Sequence, residues 1–342
     1  MMAASKLSRR VVLRSLGLAA GGLVGARRRS ARANSKRTPS NNKKELVSRL
    51  KGVHNFLTTP FLSNYKLDAD GLYRNVLVHA KANPEKMVVV VAGGLGELFS
   101  LSAVEHEELV DAAVRGARGK VPVVAGVGGG YGNALAMARN AQKAGVDAIL
   151  IFASPNACDG VEGPYHFLRE VANSVEIGAM AYPCGNSDAW PELLARLAEL
   201  PNLVGFKDAS GDVEVGRALG PLVGEEFLWV AEGEAHAEKT LAEGAAAFTT
   251  AVATFVPQGC LEFWRQGISG NVETMKQVRQ QRIAPVVKLR TIKPGYGISG
   301  IKVALESLGR AGGPVRPPLT QVAYEDRAAI AAIARTHAET LT

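Results

Sequence analysis

A lysine at the end of an apolar run is the residue of this sequence best placed for covalent chemistry. Leu203–Phe206 has the composition of a buried strand, and Lys207 follows it directly. Burial lowers the pKa of an ammonium group, and the neutral amine can then attack a ketone to form a Schiff base. The protonated imine draws electrons from a neighbouring C–H or C–C bond. A surface lysine just past a strand, paired with Asp208, fits the same residues, and both interpretations stay open.

Two other strand ends carry residues that could assist. Tyr182 ends the run Ala179–Tyr182, where a phenol could relay protons to an imine carbon or a substrate hydroxyl, although for this residue taken alone a core tyrosine is the favoured interpretation. Three glycines follow the second apolar run within four residues, Gly93, Gly94 and Gly96. Their backbone N–H groups could hold a carboxylate, or they could form an ordinary turn.

Short apolar runs alternate with amphipathic stretches from residue 53 to residue 251, which indicates the α/β class. Eight runs predict strands: Val53–Leu57, Met87–Ala92, Val121–Val127, Ala148–Phe152, Ile177–Tyr182, Leu203–Phe206, Phe227–Val230 and Ala246–Ala251. The helical patterns include Val104–Arg118, Ala134–Ala144, Gly163–Asn173, Trp190–Leu200, Val213–Leu222 and Ala235–Glu243. Continuous apolar runs are typical of strands buried on both faces, so we predict a (β/α)8 TIM barrel. A doubly wound open sheet is the alternative, which the lack of G-x-G-x-x-G after the first strand disfavours.

In such a barrel the chemistry lies at the carboxyl ends of the strands, and Lys207 and Tyr182 would end adjacent strands and face each other. The strand pattern stops after Pro257. Additional C-terminal helices are predicted over Leu261–Gln266, Val272–Leu289 and Ile298–Leu308, and an extended clip over Pro314–Pro318. The expected organisation is a signal segment over residues 1–33, a linker over 34–45, the barrel over 46–260 and a C-terminal helical region over 261–342.

The formal net charge of the 342-residue chain is +8, which by itself invites a nucleic-acid partner. Residues 1–44 hold 12 of the 40 basic residues and no acidic residue. The remainder has 28 basic and 32 acidic residues, so it is mildly acidic. The positive charge therefore belongs to an N-terminal leader, and no nucleic-acid partner is expected.

The leader has the order of an export signal. Arg9 and Arg10 precede a mildly apolar stretch, Leu16–Ala26, and Ala31-Arg32-Ala33 resembles a cleavage site, so the segment resembles a twin-arginine signal. We expect export to the periplasm. The stretch is about half the roughly 20 residues that cross a bilayer, and no later segment is long enough either, so no stable membrane insertion is expected. A mitochondrial transit peptide and a disordered tail on a cytoplasmic protein are the alternatives.

Cysteine and histidine give little support for a metal or a disulfide framework. The three cysteines, Cys158, Cys184 and Cys260, lack metal-ligand spacing, and the six histidines are scattered. Packing is the expected role of each cysteine. No metal, nucleotide or flavin motif is present, so we expect no metal and no dissociable cofactor.

Leu57–Phe61 (LTTPF) and Gly205–Asp208 (GFKD), with the glycine turn, resemble motifs of the dihydrodipicolinate synthase / N-acetylneuraminate lyase family. The resemblance runs from about Gly52 to Leu319. It implies a Schiff-base barrel lyase that acts on small-molecule 2-oxo acids and forms homo-oligomers, tetramers or dimers. Within the family the sequence is most similar to 5-dehydro-4-deoxyglucarate dehydratases, in the segments Ala92–Leu101, Pro201–Asp208, Lys293–Lys302 and Gly313–Leu319.

Carried over position by position, the resemblance makes Lys207 the Schiff-base lysine and Tyr182 the proton-relay tyrosine. Thr59 would stand behind Tyr182 in the relay. The implied substrate-binding residues are Thr59, Gly94, Leu95, Gly96, Asn186, Thr249 and Thr250.

Three positions depart from the family pattern. Leu95 stands where relatives usually have Thr or Ser, Pro183 follows the tyrosine where Asn is usual, and Asn156 follows Pro155 where Tyr is common. Leu95 offers no side-chain donor to a substrate carboxylate. The reaction class is therefore better supported than the substrate. A decarboxylating dehydratase is the first hypothesis, and the alternatives are an aldolase that cleaves or condenses a hydroxy-2-oxo acid and a non-catalytic sugar-acid-binding barrel.

Overall fold

The computed structural model describes residues 43–82, 85–153, 160–183 and 187–340. The predicted signal segment and residues 34–42 of the predicted linker lie outside the described residues, as do four residues singled out above: Asn156, Cys158, Cys184 and Asn186. Helix α1 (Lys43–Leu50) begins within the range predicted as linker.

Eight parallel strands close into a barrel. They are β1 (Gly52–Phe56), β2 (Met87–Val91), β3 (Val123–Val127), β4 (Ala148–Phe152), β5 (Gly178–Tyr182), β6 (Leu203–Asp208), β7 (Leu228–Glu232) and β8 (Ala247–Thr250). Each strand pairs with the next in sequence, and β8 pairs with β1. The predicted (β/α)8 barrel with C-terminal helices is confirmed, and the open sheet is wrong.

The burial pattern of the strands singles out two positions. The strand residues are buried except Tyr182 and Glu232, which are half-buried. Both lie at the carboxyl end of their strand, in β5 and β7. An apolar barrel interior thus opens onto polar groups at the end where such barrels carry out chemistry.

Helices follow the strands and continue beyond the barrel. After α1 they are α2 (Ala69–Ala82), α3 (Ala103–Ala117), α4 (Tyr131–Ala144), α5 (Glu162–Asn173), α6 (Trp190–Ala198), α7 (Val213–Ala218), α8 (Gly233–Thr240), α9 (Pro257–Ile268), α10 (Val272–Val278), α11 (Ala284–Thr291), α12 (Ser299–Ser307) and α13 (Arg327–His337). Helix α9 spans the boundary predicted between residues 260 and 261. None of the helices described between residues 43 and 340 is both long and apolar enough to cross a membrane.

Proline explains two differences from the predicted helices. Helix α7 ends at Ala218 rather than at Leu222, because Gly220 and Pro221 follow and a proline ring cannot continue a helix. The single helix predicted over Val272–Leu289 is three pieces, with a π-helical turn at Arg279–Ile283 between α10 and α11. Pro285 at the start of α11 lacks an N–H, and the wider turn precedes it.

A buried ion pair ties the C-terminal region to the loop after β2. The Lys302 Nζ on α12 lies 2.5 Å from Glu97 Oε1, and both side chains are fully buried. Lys302 also donates to the Pro314 carbonyl at 2.7 Å, and the Arg316 backbone N–H donates to Glu97 Oε2 at 2.8 Å. Burial lowers the pKa of Lys302 to about 8, although Glu97 opposes the shift.

The segment predicted as a clip lies against the loops after β1 and β2. The Arg316 guanidinium donates to the carbonyls of Tyr65 and Ser100, each at 2.7 Å, and to Glu105 Oε1 at 2.5 Å. The hydrogen bonds from Arg316 lower the pKa of Glu105 to about 2. Arg316 thereby holds together chain segments more than 200 residues apart.

Lys302→Met is expected to lower the free energy of unfolding by about 3–5 kcal/mol, because it leaves the buried Glu97 carboxylate without its cation. Urea denaturation followed by circular dichroism measures the change. The double variant Glu97→Leu/Lys302→Met removes both charges and is expected to recover part of the loss. Lys276→Met breaks an exposed pair with Glu273 and serves as the control, which is expected to unfold like the parent. Equal stability of Lys302→Met and Lys276→Met would contradict the expected cost of the unpaired carboxylate.

Candidate active site

Lys207 lies at the carboxyl end of β6, inside the barrel mouth. Only 5% of the residue is exposed. Its Nζ is 2.9 Å from Glu232 Oε2 on β7 and 3.7 Å from the ring centroid of Tyr182 on β5. The three strands are consecutive in the barrel, so their ends bring the three side chains together. The structure places Lys207 and Tyr182 in the contact expected from the sequence.

Asp208 does not take the role that the surface-lysine interpretation gave it. Its Oδ2 accepts the indole N–H of Trp229 at 3.0 Å, and its Oδ1 accepts the backbone N–H and the hydroxyl of Ser210. Lys207 is paired with Glu232 and is buried, so the surface-lysine interpretation is wrong. Asp208 instead fixes the turn after β6 and the neighbouring β7.

Burial sets the protonation of the two groups predicted to be catalytic. It lowers the pKa of Lys207, although the nearby carboxylates of Glu232 and Asp208 oppose the shift. A larger fraction of this lysine is therefore a neutral amine than of an exposed one. Burial, together with the charge and hydrogen bond of Glu232, raises the pKa of Tyr182 well above its usual value. Tyr182 therefore acts as a hydrogen-bond donor.

Glu232 is the site residue that the sequence analysis missed. The seventh strand was predicted to end at Val230, whereas β7 runs to Glu232. The glutamate Oε2 also accepts the Tyr182 hydroxyl at 3.2 Å. Its position in the sequence could have indicated it, because Glu232 follows the apolar run by two residues. Lys207 and Tyr182 also lie at the carboxyl ends of apolar runs.

Aromatic rings form the wall around the lysine. Phe152, which ends β4, packs edge-on against Tyr182 with ring centroids 5.0 Å apart. The ring of Phe56, which ends β1, lies 5.9 Å from Lys207 Nζ. These rings exclude water from one side of the amine and restrict the rotation of Tyr182.

The glycine loop after β2 lies next to this wall. A Cβ at Gly93 would lie 2.7 Å from the Phe56 ring, so glycine is needed there for close packing. Gly94 is exposed, Leu95 is half-buried and Gly96 is buried. The backbone N–H groups of Glu97 and Leu98 donate to the carbonyls of Gly94 and Gly93 and make the loop compact. Gly94 and Leu95 are thus the accessible part of the predicted carboxylate site.

Thr59 is buried beside the loop rather than bonded to the tyrosine. Its hydroxyl donates to the Gly96 carbonyl at 2.5 Å, whereas the Tyr182 hydroxyl donates to Glu232. Each hydroxyl has one hydrogen, so neither donates to the other in this arrangement. The relay role of Thr59 stays a prediction, and it requires one of these bonds to exchange.

Thr249 and Thr250 of β8 brace the chain that follows Glu232. The Thr249 hydroxyl accepts the backbone N–H of Gly233 at 3.2 Å. Thr250 donates to Glu234 and accepts the backbone N–H of Val252 at 3.0 Å. Their predicted contact with substrate stays a prediction, as does that of Asn186, which lies outside the described residues.

The site contains a buried amine, a carboxylate and a phenol, which suits acid–base and imine chemistry at a carbonyl group. Within the described ranges, no three His, Cys, Asp or Glu side chains come together in an arrangement that could hold a metal ion. The absence of a cofactor stays a prediction. Cys260 is buried in the core, and burial raises the pKa of its thiol.

Comparisons with known proteins identify relatives of this chain. Residues 49–337 match the model of the dihydrodipicolinate synthetase family. A protein of Paracidovorax citrulli named as a probable 5-dehydro-4-deoxyglucarate dehydratase is 36% identical over 246 residues, which cover 71% of this chain and 81% of that protein. A protein of Bradyrhizobium diazoefficiens with the same name is 33% identical over 313 residues, which cover 88% and 96%.

Solved structures show the same fold. The crystal structure of dihydrodipicolinate synthase from Oceanobacillus iheyensis superposes with a TM-score of 0.77 at 23% identity, and the match covers 86% of this chain and 99% of that one. On the evidence of the family model and of the relatives above 30% identity, the chain belongs to the dihydrodipicolinate synthetase family.

Proposed function

We propose that the protein is an imine-forming lyase that dehydrates and decarboxylates a 2-oxo sugar acid of the 5-dehydro-4-deoxyglucarate type. The observation that carries the proposal is the buried Lys207 at the barrel mouth, in contact with Tyr182 and Glu232. The names of the relatives at 33–36% identity support the choice of substrate.

The geometry supports the following sequence of steps. The neutral Lys207 Nζ attacks the C2 ketone, water leaves, and an iminium forms. The iminium acidifies C3, so the C3–H bond breaks and its electrons form a C3–C4 double bond as the C4 hydroxyl leaves. Tyr182 gives its proton to that hydroxyl, which departs as water, and the resulting phenolate takes up the C3 proton. The bond from C5 to the distal carboxylate then breaks, its electron pair passes into the conjugated iminium, and CO2 departs. Protons from water convert the resulting dienamine back to an imine. Hydrolysis frees Lys207 and the dioxo acid product.

Burial and hydrogen bonds prepare each group for its step. The low-dielectric wall of Phe56 and Phe152 favours the uncharged amine before attack. Tyr182 holds its proton until a better acceptor, the departing hydroxyl, appears. The backbone N–H groups of Gly94 and Leu95 are the donors available to the substrate carboxylate.

Leu95 is the observation that favours a second candidate. A hydrophobic side chain at the accessible part of the glycine loop gives a weaker carboxylate site, which would suit a different hydroxy-2-oxo acid and an aldolase reaction. If the altered site binds but does not turn over, the protein is a sugar-acid-binding barrel. Both alternatives predict different outcomes in the trapping experiment below.

The proposal also covers where the protein is located and its oligomeric state. The order of Arg9, Arg10, an apolar stretch and Ala31-Arg32-Ala33 supports export by a twin-arginine route and a periplasmic enzyme. Family membership supports a homo-oligomer, a tetramer or a dimer. The substrate is a small molecule, and the mildly acidic remainder of the chain argues against nucleic acid.

Borohydride reduction in the presence of pyruvate or 5-dehydro-4-deoxyglucarate is expected to fix substrate mass on Lys207, since an imine is reduced to a stable amine. Peptide mass spectrometry locates the adduct. Lys207→Ala is expected to give no adduct and no turnover, whereas Lys143→Ala, at an exposed lysine, is expected to match the parent. A parent that gains no mass would refute the imine mechanism. Ligand-induced thermal stabilisation that survives Lys207→Ala, without turnover by the parent, would identify a binding protein, and release of an aldehyde fragment would identify an aldolase.

Leu95→Thr is expected to lower the KM for a 2-oxo acid by roughly 10–100-fold, because a hydrogen bond to a charged group is worth about 1.5–3 kcal/mol. Leu95→Ala is the matched control, since it shortens the side chain without adding a donor. Steady-state kinetics on both variants measure the effect. Equal KM values for the two variants would show that the backbone alone binds the carboxylate.

Replacement of both Arg9 and Arg10 by lysine is expected to keep the full-length chain inside a bacterium that has twin-arginine export, because the paired guanidinium groups form the signal. Cell fractionation followed by immunoblotting measures the distribution. Arg28→Lys, outside the pair, is expected to be exported like the parent. A parent chain that remains cytoplasmic would contradict the export proposal.

A further inference from the structure

Glu232 contacts both groups that the imine mechanism uses. One oxygen, Oε2, lies 2.9 Å from Lys207 Nζ and accepts the Tyr182 hydroxyl at 3.2 Å. The Glu232 side chain is 41% exposed, whereas that of Lys207 is 6% exposed. The carboxylate therefore lies between the buried amine and the solvent side of the barrel mouth, through which a carbonyl substrate must approach.

The other ionisable groups that face Lys207 are poorly suited to accept its proton. Tyr182, from β5, is already protonated, and its pKa is raised by burial and by Glu232. Asp208, on the same strand as Lys207, is occupied by hydrogen bonds from Trp229 and Ser210. From β1 the amine meets only the ring of Phe56 among the described contacts. Glu232 is thus the carboxylate with an oxygen at hydrogen-bond distance from the ammonium group.

The backbone around Glu232 is held in place. The N–H of Gly233 donates to the Thr249 hydroxyl at 3.2 Å, which ties the end of β7 to β8. Glu232 is itself the last residue of β7, paired in register with Thr249. A carboxylate on a strand end held against β8 is positioned for proton transfer, which needs donor and acceptor within about 3 Å.

We propose that Glu232 is the acid–base residue of imine formation, a catalytic residue beside Lys207 that resemblance to the family did not supply. Glu232 takes one proton from the Lys207 ammonium group, and the neutral Nζ forms a C–N bond to the ketone carbon as the C–O π bond opens. A second proton then moves from Nζ to the new alkoxide oxygen, which gives the neutral carbinolamine. The protonated Glu232 then gives its proton to the carbinolamine hydroxyl, which leaves as water when the nitrogen lone pair forms the iminium. Glu232 ends as a carboxylate beside the iminium cation. The inference rests on the proposed imine-forming function.

If Glu232 had a purely electrostatic role, its removal would have the opposite effect on the rate of imine formation. The charge of Glu232 raises the pKa of Lys207 against the effect of burial. Removal of that charge lowers the pKa of Lys207 further and supplies more neutral amine at pH 7. If Glu232 were only an ion-pair partner, Glu232→Gln would form the imine at least as fast as the parent. As the acid–base residue, its loss slows imine formation even though more amine is neutral.

The test is the rate of imine formation with pyruvate, measured by rapid mixing and borohydride quench between pH 5 and pH 9. Glu232→Gln is expected to lower the maximal trapping rate by about 10²-fold or more, while the acidic limb of the pH profile moves to lower pH. Glu243→Gln, on an exposed carboxylate paired with Arg217, is the matched control and is expected to keep the parent profile. Circular dichroism establishes that each variant is folded.

Chemical rescue gives a second measurement that does not depend on the glutamine variant. Formate added to Glu232→Ala is expected to restore part of the trapping rate in proportion to its concentration, because the half-buried site admits a small carboxylate. A Glu232→Gln rate equal to or above that of the parent, or no rescue by formate, overturns the role of Glu232 while leaving the Lys207 imine intact. A parent that is not trapped at all overturns the proposed function and this inference together.

Discussion

The contact between Lys207 and Glu232 is the interaction on which the candidate site depends. An ammonium group in an apolar barrel loses hydration that a single carboxylate only partly replaces, so the pKa of Lys207 falls although Glu232 raises it. The distance between the two groups is set by the pairing of β6 with β7 and not by the side chains alone. Gly205 permits that pairing, since a Cβ there would lie 2.3 Å from the Leu228 carbonyl oxygen. The lowered pKa of the lysine and its position beside Glu232 therefore depend on barrel closure.

The C-terminal helices contribute to the same site from outside the barrel. Glu97 directly follows Gly96 of the glycine loop, and it is held by Lys302 of α12 and by the backbone of Arg316. Lys302 and Arg316 come from the two C-terminal segments that gave the sequence its resemblance to the dehydratases. Because an unpaired Glu97 would be costly to bury, these segments and the glycine loop must be kept together. The distinctive segments thus shape the loop that is proposed to bind the substrate carboxylate.

Much of the barrel was predictable because each buried strand appears in the sequence as a continuous apolar run. The ends of those runs were predicted less well, since a strand can extend through a polar residue whose partner lies on another strand. Glu232 was missed for this reason, and Lys207 was left with Asp208 as an equal candidate partner. The pair of Glu97 and Lys302 joins residues 205 positions apart, so no local pattern could indicate it. The early end of α7 could have been predicted from Gly220 and Pro221. The predicted helix was nevertheless extended past these two residues to Leu222.

The pairing of Lys207 with Glu232 implies that different groups bind the substrate and carry out the proton transfers. The charge of Lys207 is balanced by Glu232 before any substrate enters, so the lysine has little charge to offer to a substrate carboxylate. In the proposed imine, the iminium replaces the ammonium group opposite the same glutamate. A substrate carboxylate would therefore be balanced elsewhere, and we propose that the backbone dipoles of the glycine loop, which Glu97 and Lys302 hold in shape, do so. In the proposed mechanism Leu95 affects affinity through the loop, whereas Tyr182 and Glu232 affect the proton transfers. Substrate affinity and proton transfer can then change independently within one barrel.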